Sequence, residues 1–158
     1  MNKKPIRAAC ILLRDGEILL IHRVRGKEEY FVFPGGGVEK GEAINEAVLR
    51  ELKEEASVEA DIDRLLYIHD YGSSQQYYYL CQYLSGEPKL SDDCNEKKEM
   101  EEKEDDFYEP VWMKISKLPK LLLYPLEIRD WLIEDLKKRF QKKPRIAKLK
   151  IEELRGSR

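Results

Sequence analysis

Apolar and polar positions along the chain sort into segments of two different periods. Residues 5–14 (PIRAACILLR) and 17–24 (EILLIHRV) are runs of β-branched and aliphatic residues flanking Asp15-Gly16. Asp-Gly between two such runs is a strong hairpin signal, because both positions accept the backbone of a tight turn. A third short strand, Tyr30–Phe33, leads into Pro34 and three glycines. The period then lengthens. Ile44, Val48 and Leu52 recur every four residues, which predicts a helix over roughly 42–56. Further strands are expected at about 62–70 and 76–84, the second carrying the tyrosines that strands favour (QYYYLCQYL).

The pattern changes at residues 91–109, where ten acidic residues stand against three lysines with few apolar side chains, the composition of a mobile loop. PVWMKI restores a strand, and short helical material follows near SKLPKLLL. A second amphipathic helix is expected over about 126–140, with Leu126, Trp131, Leu132 and Leu136 on its buried face. From Lys137 to Arg158 ten Lys/Arg stand against two Glu, with Pro144 as an interruption. The expected organisation is one domain over 1–140 and a basic tail over 141–158. Strands and two helices in this order imply an α/β protein in which a mixed sheet packs between helices.

Composition narrows the class. At 158 residues the chain suits one domain with a proper core, and 38% charged residues give it a highly charged surface. A net charge of −2 argues against a general nucleic-acid-binding surface, so nucleic acid is not an expected partner. Cys10, Cys81 and Cys94 lack metal-type spacing, and their odd number suits reduced thiols in a cytosol. The start, MNKKPIRAACILLRDGE, is a poor signal peptide, and no run approaches the ~20 apolar residues of a membrane span. These features lead us to expect a soluble, cytoplasmic protein without a membrane partner. The acidic segment 91–109 and the basic segment 137–158 are expected to attract each other, within one chain or across a homodimer.

Candidate chemistry lies on the first helix. Glu51 and Glu55 follow Ile44 and Val48 by seven residues, so they continue the apolar stripe, while Glu46 and Lys53 point to the far side. A solvated face would put its acids opposite the stripe. Carboxylates along it point inward or into a cleft, where they need partners. Arg50, four residues after Glu46 and four before Glu54, is one such partner. A single arginine does not neutralise three inward carboxylates, whereas a hard divalent cation binds through carboxylates, waters and substrate phosphates. The three glycines could let backbone approach a ligand in dihedrals closed to other residues and could add a carbonyl ligand. An ordinary strand-to-helix connection would use them equally well.

The spacing of Gly36, Glu42, Arg50-Glu51, Leu52, Glu54-Glu55 and Val58 resembles the Nudix box, with Ser57 where that pattern usually has glycine. The preceding FVFPGGG, the hairpin before it and the later VWM strand extend the resemblance to MutT-like members over about residues 5–140. The resemblance implies an α/β/α sandwich and Mg²⁺- or Mn²⁺-dependent hydrolysis of a nucleoside diphosphate linked to another group. It implies that Glu51, Glu54 and Glu55 bind metal, that Arg50 orients the glutamates, and that Glu42 and the Gly35–Gly36 backbone shape the loop, with Gly36 offering a carbonyl. A carboxylate must accept the proton of the attacking water. Glu51 as a ligand doubling as base is one choice and Glu54 another. A further loop acid, six residues before Trp112 as in some MutT-like enzymes, would be Asp106, with Glu104 and Asp105 adjacent.

Arg23 and Arg25 could reach substrate phosphates or lie on the surface. Tyr71, Tyr77 and Tyr79 could stack on a base, although alternating strand tyrosines are usually packing residues. His22 and His69 are expected to be structural. The chain lacks the signatures that accompany coenzyme A or NADH substrates, such as SQPWPFP, and no proline follows shortly after Val58. The leading expectation is a (d)NTP pyrophosphohydrolase. A dinucleoside polyphosphate or ADP-ribose hydrolase, or a non-catalytic nucleotide- or RNA-binding module, stands as the alternative.

Overall fold

The structure, a computed structural model, describes residues 4–89 and 106–148. Strands β1 (Ile6–Arg14) and β2 (Glu17–Arg25) meet at a two-residue turn in which Asp15 and Gly16 both take positive φ, 49° and 79°. They pair only at this end, Leu13 with Ile18 and Arg14 with Glu17. Beyond it the strands part. β3 (Glu28–Val32) adds to β2, the chain steps across at Phe33-Pro34, and β4 (Gly35–Gly37) adds to β1. The Pro34 carbonyl accepts the Cys10 N–H at 2.8 Å, which ties the step to β1.

Five more strands follow among the described residues: β5 (Glu59–Asp70), β6 (Gln75–Ser85), β7 (Asp106–Lys114), β8 (Leu123–Tyr124) and β9 (Arg145–Lys148). The mixed sheet runs β8-β3-β2-β1-β6-β5-β9, with β4 on β1 and β7 on β2. Helices α1 (Ile44–Ala56) and α2 (Leu126–Lys137) cover its two faces. Alternation along β1 divides the core. Ala8, Cys10 and Leu12 pack with Ala47, Val48 and Leu52 of α1, while Ala9 and Ile11 pack with Ile128 and Leu132 of α2. The result is the expected three-layer α/β/α arrangement. Cys10 and Cys81 are buried free thiols, and Cys94 lies outside the described residues. No helix among the described residues is long and apolar enough to cross a membrane.

Several expectations need correction. Residues 106–109 are not loop: they begin β7, paired with β2 from Arg25–Asp106 onward. The buried face of α2 is formed by Ile128, Leu132 and Asp135, while Leu126 is exposed at the helix start and Trp131 and Leu136 are half-buried. The boundary at residue 140 does not hold, because Arg145–Lys148 adds in parallel to β5 and extends the sheet. Asp135 is held inside by the Tyr67 hydroxyl, which donates at 2.6 Å, and by Arg145 at 3.4 Å. Burial, then the Asp135 bond, pushes the Tyr67 hydroxyl pKa up and keeps it a donor. The expected attraction between acidic and basic segments falls largely on residues outside those described.

Candidate active site

Helix α1 ends on Ser57, which takes the left-handed conformation (φ 57°, ψ 32°) while its N–H bonds to the Lys53 carbonyl at 2.9 Å. Serine thus fills the glycine position without changing how the helix terminates, at a conformational cost glycine would not carry. The loop before the helix is tied by Glu42, whose carboxylate accepts the Glu39 N–H at 3.0 Å and pairs with Arg50 Nε at 2.7 Å. Glu42 therefore does shape the loop, and it replaces Glu46 as the expected partner of Arg50.

Arg50 is the hub of the helix. Besides Glu42 it contacts Glu51 at 2.9 Å, Glu54 at 3.2 Å and the Gly37 carbonyl at 2.9 Å, with Glu39 at 3.7 Å. Hydrogen bonding to Glu42 raises the guanidinium pKa above its ordinary value and, reciprocally, the Arg50 bond lowers that of Glu42.

The glycine strand explains how carboxylates on the α1 face reach a cavity on the other side of the sheet. β4 lies in register with β1, Gly36 beside Ala8 and Gly35 beside Ala9. A Cβ on Gly35 would sit 2.8 Å from the Ala9 Cα, and one on Gly36 would sit 2.5 and 2.6 Å from the Glu51 carboxylate oxygens. Neither residue has positive φ. Close approach requires glycine at these two positions, and the unusual dihedrals also expected from the sequence do not occur there. The Gly35 N–H also donates to Glu55 at 3.3 Å.

Over this side-chain-free strand opens a cavity of about 840 Å³. Glu51 and Glu55 form its α1 side, Arg7 and Arg23 line its strands, and Phe33, Tyr71, Tyr78, Tyr108 and Tyr124 give it aromatic walls. Its volume falls within the usual range for small-molecule sites, ~300–1,000 Å³. Arg23 lies in register between Tyr30 and Tyr108, its guanidinium carbon 3.8 Å from the Tyr108 ring centre and 5.6 Å from that of Tyr30, with Nε buried and unpartnered.

The other sequence-predicted residues are less gathered. Glu54 is half exposed, turned to Arg50, and does not line the cavity. Asp106 is buried at the first position of β7, two residues before Tyr108 and outside the cavity lining. Glu104 and Asp105 lie outside the described residues. Arg25 and Tyr77 do not line the cavity, and Tyr79 packs toward α1. Among the described residues no three acidic, histidine or cysteine side chains converge as a metal cluster. The donor set nevertheless suits a hard cation: two carboxylates beneath a backbone cleft, with a third, Glu54, one turn away on the same helix. His69, read from sequence as structural, lines the cavity instead. Only its position at the end of a strand beside Tyr71 hinted at this.

A family model, the NUDIX domain, matches residues 3–133. An ADP-ribose pyrophosphatase of Methanocaldococcus jannaschii is 32% identical over 118 residues, 70% of this chain and 62% of that one. A diphosphoinositol polyphosphate phosphohydrolase 2 of Rattus norvegicus is 42% identical over 67 residues, 40% of this chain and 37% of that one. The chain spans between 25% and 62% of the length of the first curated relatives it matches. A crystal structure of a NUDIX hydrolase from Nitrosomonas europaea superposes with a TM-score of 0.70 over 94% of this chain and 81% of that one, at 14% identity, a likeness of fold.

Proposed function

The chain belongs to the Nudix hydrolase family, and we propose that it cleaves a phosphoanhydride bond of a small nucleotide, a (d)NTP first. The observation that carries this reading is the single cavity joining Glu51 and Glu55 to Arg7, Arg23 and a set of aromatic rings. Such a cavity suits a ligand with one planar base and a short phosphate chain. A ring carrying many phosphates would call for more cations than the two arginines lining it among the described residues. ADP-ribose is the second reading, favoured by the 32% identical relative of that name.

Glu51, Glu55 and Glu54 are the proposed holders of Mg²⁺ or Mn²⁺, with the Gly36 carbonyl nearby. A bound divalent cation would neutralise charge on the phosphates and lower the pKa of a water. Arg50 fixes Glu51 by a charged hydrogen bond, and Glu51 or Glu54 accepts the water's proton. Arg23, stiffened against Tyr108, presents a planar cation to phosphate oxygens. Asp106, like Glu54, is not among the residues that line the cavity.

Release of phosphate or pyrophosphate from a nucleotide panel with Mg²⁺ tests the reading. Glu51→Gln and Glu54→Gln are each expected to lower turnover by at least ~10²-fold without unfolding the protein, and exposed Glu46→Gln to leave it nearly unchanged. Folded protein that turns over no nucleotide but binds RNA would replace this reading with the binding-module one.

A further inference from the structure

Beside Arg7, one of the two cations already counted toward the phosphates, the cavity holds a polar pair that the proposed chemistry does not use. Arg7 of β1 pairs in register with Gln76 of β6, and Gln76 pairs with His69 of β5. All three line the cavity, and in the next row on the same face Ala9 and Tyr78 line it as well while packing, with Tyr67, into the core. Each member of the Gln76–His69 pair is fixed from behind. Gln76 accepts the Tyr78 hydroxyl on its side-chain oxygen, which leaves its amide N–H groups as donors. His69 Nε2 lies 3.2 Å from the Glu127 carboxylate at the start of α2, and its ring stands edge-on to Tyr71 with centroids 4.1 Å apart. A carboxylate only accepts, so Nε2 carries a proton, and in the neutral ring Nδ1 is left as an acceptor. That Nδ1 is buried and has no partner, in a residue only 7% exposed. A buried polar atom without a partner is costly, and His69, which carries this one, is among the residues that line the cavity.

From this juxtaposition we infer that Gln76 and His69 read the polar edge of a nucleobase, the amide of Gln76 donating and His69 Nδ1 accepting. The inference rests on the nucleotide reading above and adds its specificity determinants. Bases present an acceptor beside a donor on the edge used for pairing, which complements a donor beside an acceptor. Phosphate oxygens could accept from the Gln76 amide but, fully ionised, offer no donor to Nδ1. Glu127 is a positioning residue: it sets which ring nitrogen of His69 holds the proton.

The test compares kcat/KM for a nucleotide that the protein hydrolyses with kcat/KM for the same ribose and phosphates lacking the base. In the wild type this ratio is expected to be large. His69→Phe, which keeps a ring against Tyr71, and Gln76→Glu, which keeps an acceptor for Tyr78, should each lower it at least ~10-fold. His69→Asn, whose side-chain oxygen occupies the place of Nδ1, should recover much of the ratio, while His69→Gln should not. Glu127→Gln should lower it less, since an amide tolerates either tautomer. A ratio unchanged in His69→Phe and Gln76→Glu would overturn the inference while leaving the hydrolase reading intact. Wild-type protein that turns over no nucleotide would overturn both.

Discussion

Three consecutive glycines make a sharp experiment, because a methyl group at each meets something different. At Gly37 an added Cβ meets nothing within 4 Å. At Gly35 it would press on the Ala8 carbonyl and sit 2.8 Å from the Ala9 Cα, and backbone inside a paired strand cannot turn aside. Gly35→Ala must therefore push β4 off β1. Overpacking of this kind costs about 1–3 kcal/mol, and a backbone obstacle argues for the upper end. At about 2–4 °C per kcal/mol for a chain of this size, the melting temperature should fall by roughly 6–12 °C.

Gly36→Ala behaves differently, since what it meets is the end of a side chain. The Cβ would lie 2.5 and 2.6 Å from the Glu51 oxygens, against an ordinary contact of 3.4 Å or more. The carboxylate has to retreat by roughly 1 Å, away from its 2.9 Å bond to Arg50. Misplacement of a reacting or ligand group by ~1 Å costs about 10²-fold in rate, or about 2.7 kcal/mol in the barrier. Thermal unfolding and metal-dependent nucleotide turnover, measured on all three variants, separate the two effects. Gly35→Ala should lose stability, Gly36→Ala should lose rate with a smaller change in melting temperature, and Gly37→Ala should keep the wild-type melting temperature. Wild-type turnover in Gly36→Ala, or a rate loss as large in Gly37→Ala, would refute the placement of Glu51 under the glycine strand.

Ser57→Gly should raise stability by about 0.5–1 kcal/mol, read as a higher denaturation midpoint, because serine holds a left-handed conformation at φ 57° that glycine adopts freely. Arg145→Leu should cost about 1–3 kcal/mol by leaving the buried Asp135 with Tyr67 alone; an unchanged urea midpoint would show that the β9 contact contributes nothing. The Arg50 hydrogen bond holds Glu42 below the usual carboxylate range, so its folded pKa lies under its unfolded one. The stabilisation it gives is complete above the unfolded value of ~4.3 and is lost as pH falls through the folded value, so Glu42→Gln should flatten the fall of melting temperature between about pH 5 and pH 3.

Much of this architecture was legible in the residues. Asp15-Gly16 specified its own turn, and the four-residue spacing of Ile44, Val48 and Leu52 gave both α1 and the direction of Glu51 and Glu55. The misses share a physical cause: position depended on a partner distant in sequence. Arg145–Lys148 reads as part of a basic tail, yet an edge strand needs only backbone pairing and one buried side chain, here Ala147. Asp106 belongs to an acidic run by composition but to a strand by its register with Arg25. His69 looks isolated along the chain and gains Gln76, Tyr71 and Glu127 only when β5, β6 and α2 come together. Arg50 found Glu42, eight residues back across a loop, over Glu46 on its own helix.

That last choice resolves the repulsion built into α1. Like charges at these spacings cost about 0.2–0.5 kcal/mol per pair on a bare helix, and Glu51, Glu54 and Glu55 would have to pay it together. One guanidinium with five donors meets Glu42 through two nitrogens, Glu51 and Glu54 through a third, and the Gly37 carbonyl besides. The division is unequal. Glu42 takes the shortest contact and lies outside the cavity, so it anchors Arg50 whatever happens at the other carboxylates. Glu54, at 3.2 Å and half exposed, is the most loosely held of the three. On the proposed reading, a cation held by Glu51 and Glu55 would therefore compete for Glu54 at little structural cost, while the loop would stay fastened through Glu42. Lysine in place of Arg50 could supply the charge but not the fork, and would leave either the loop or the glutamates unfastened.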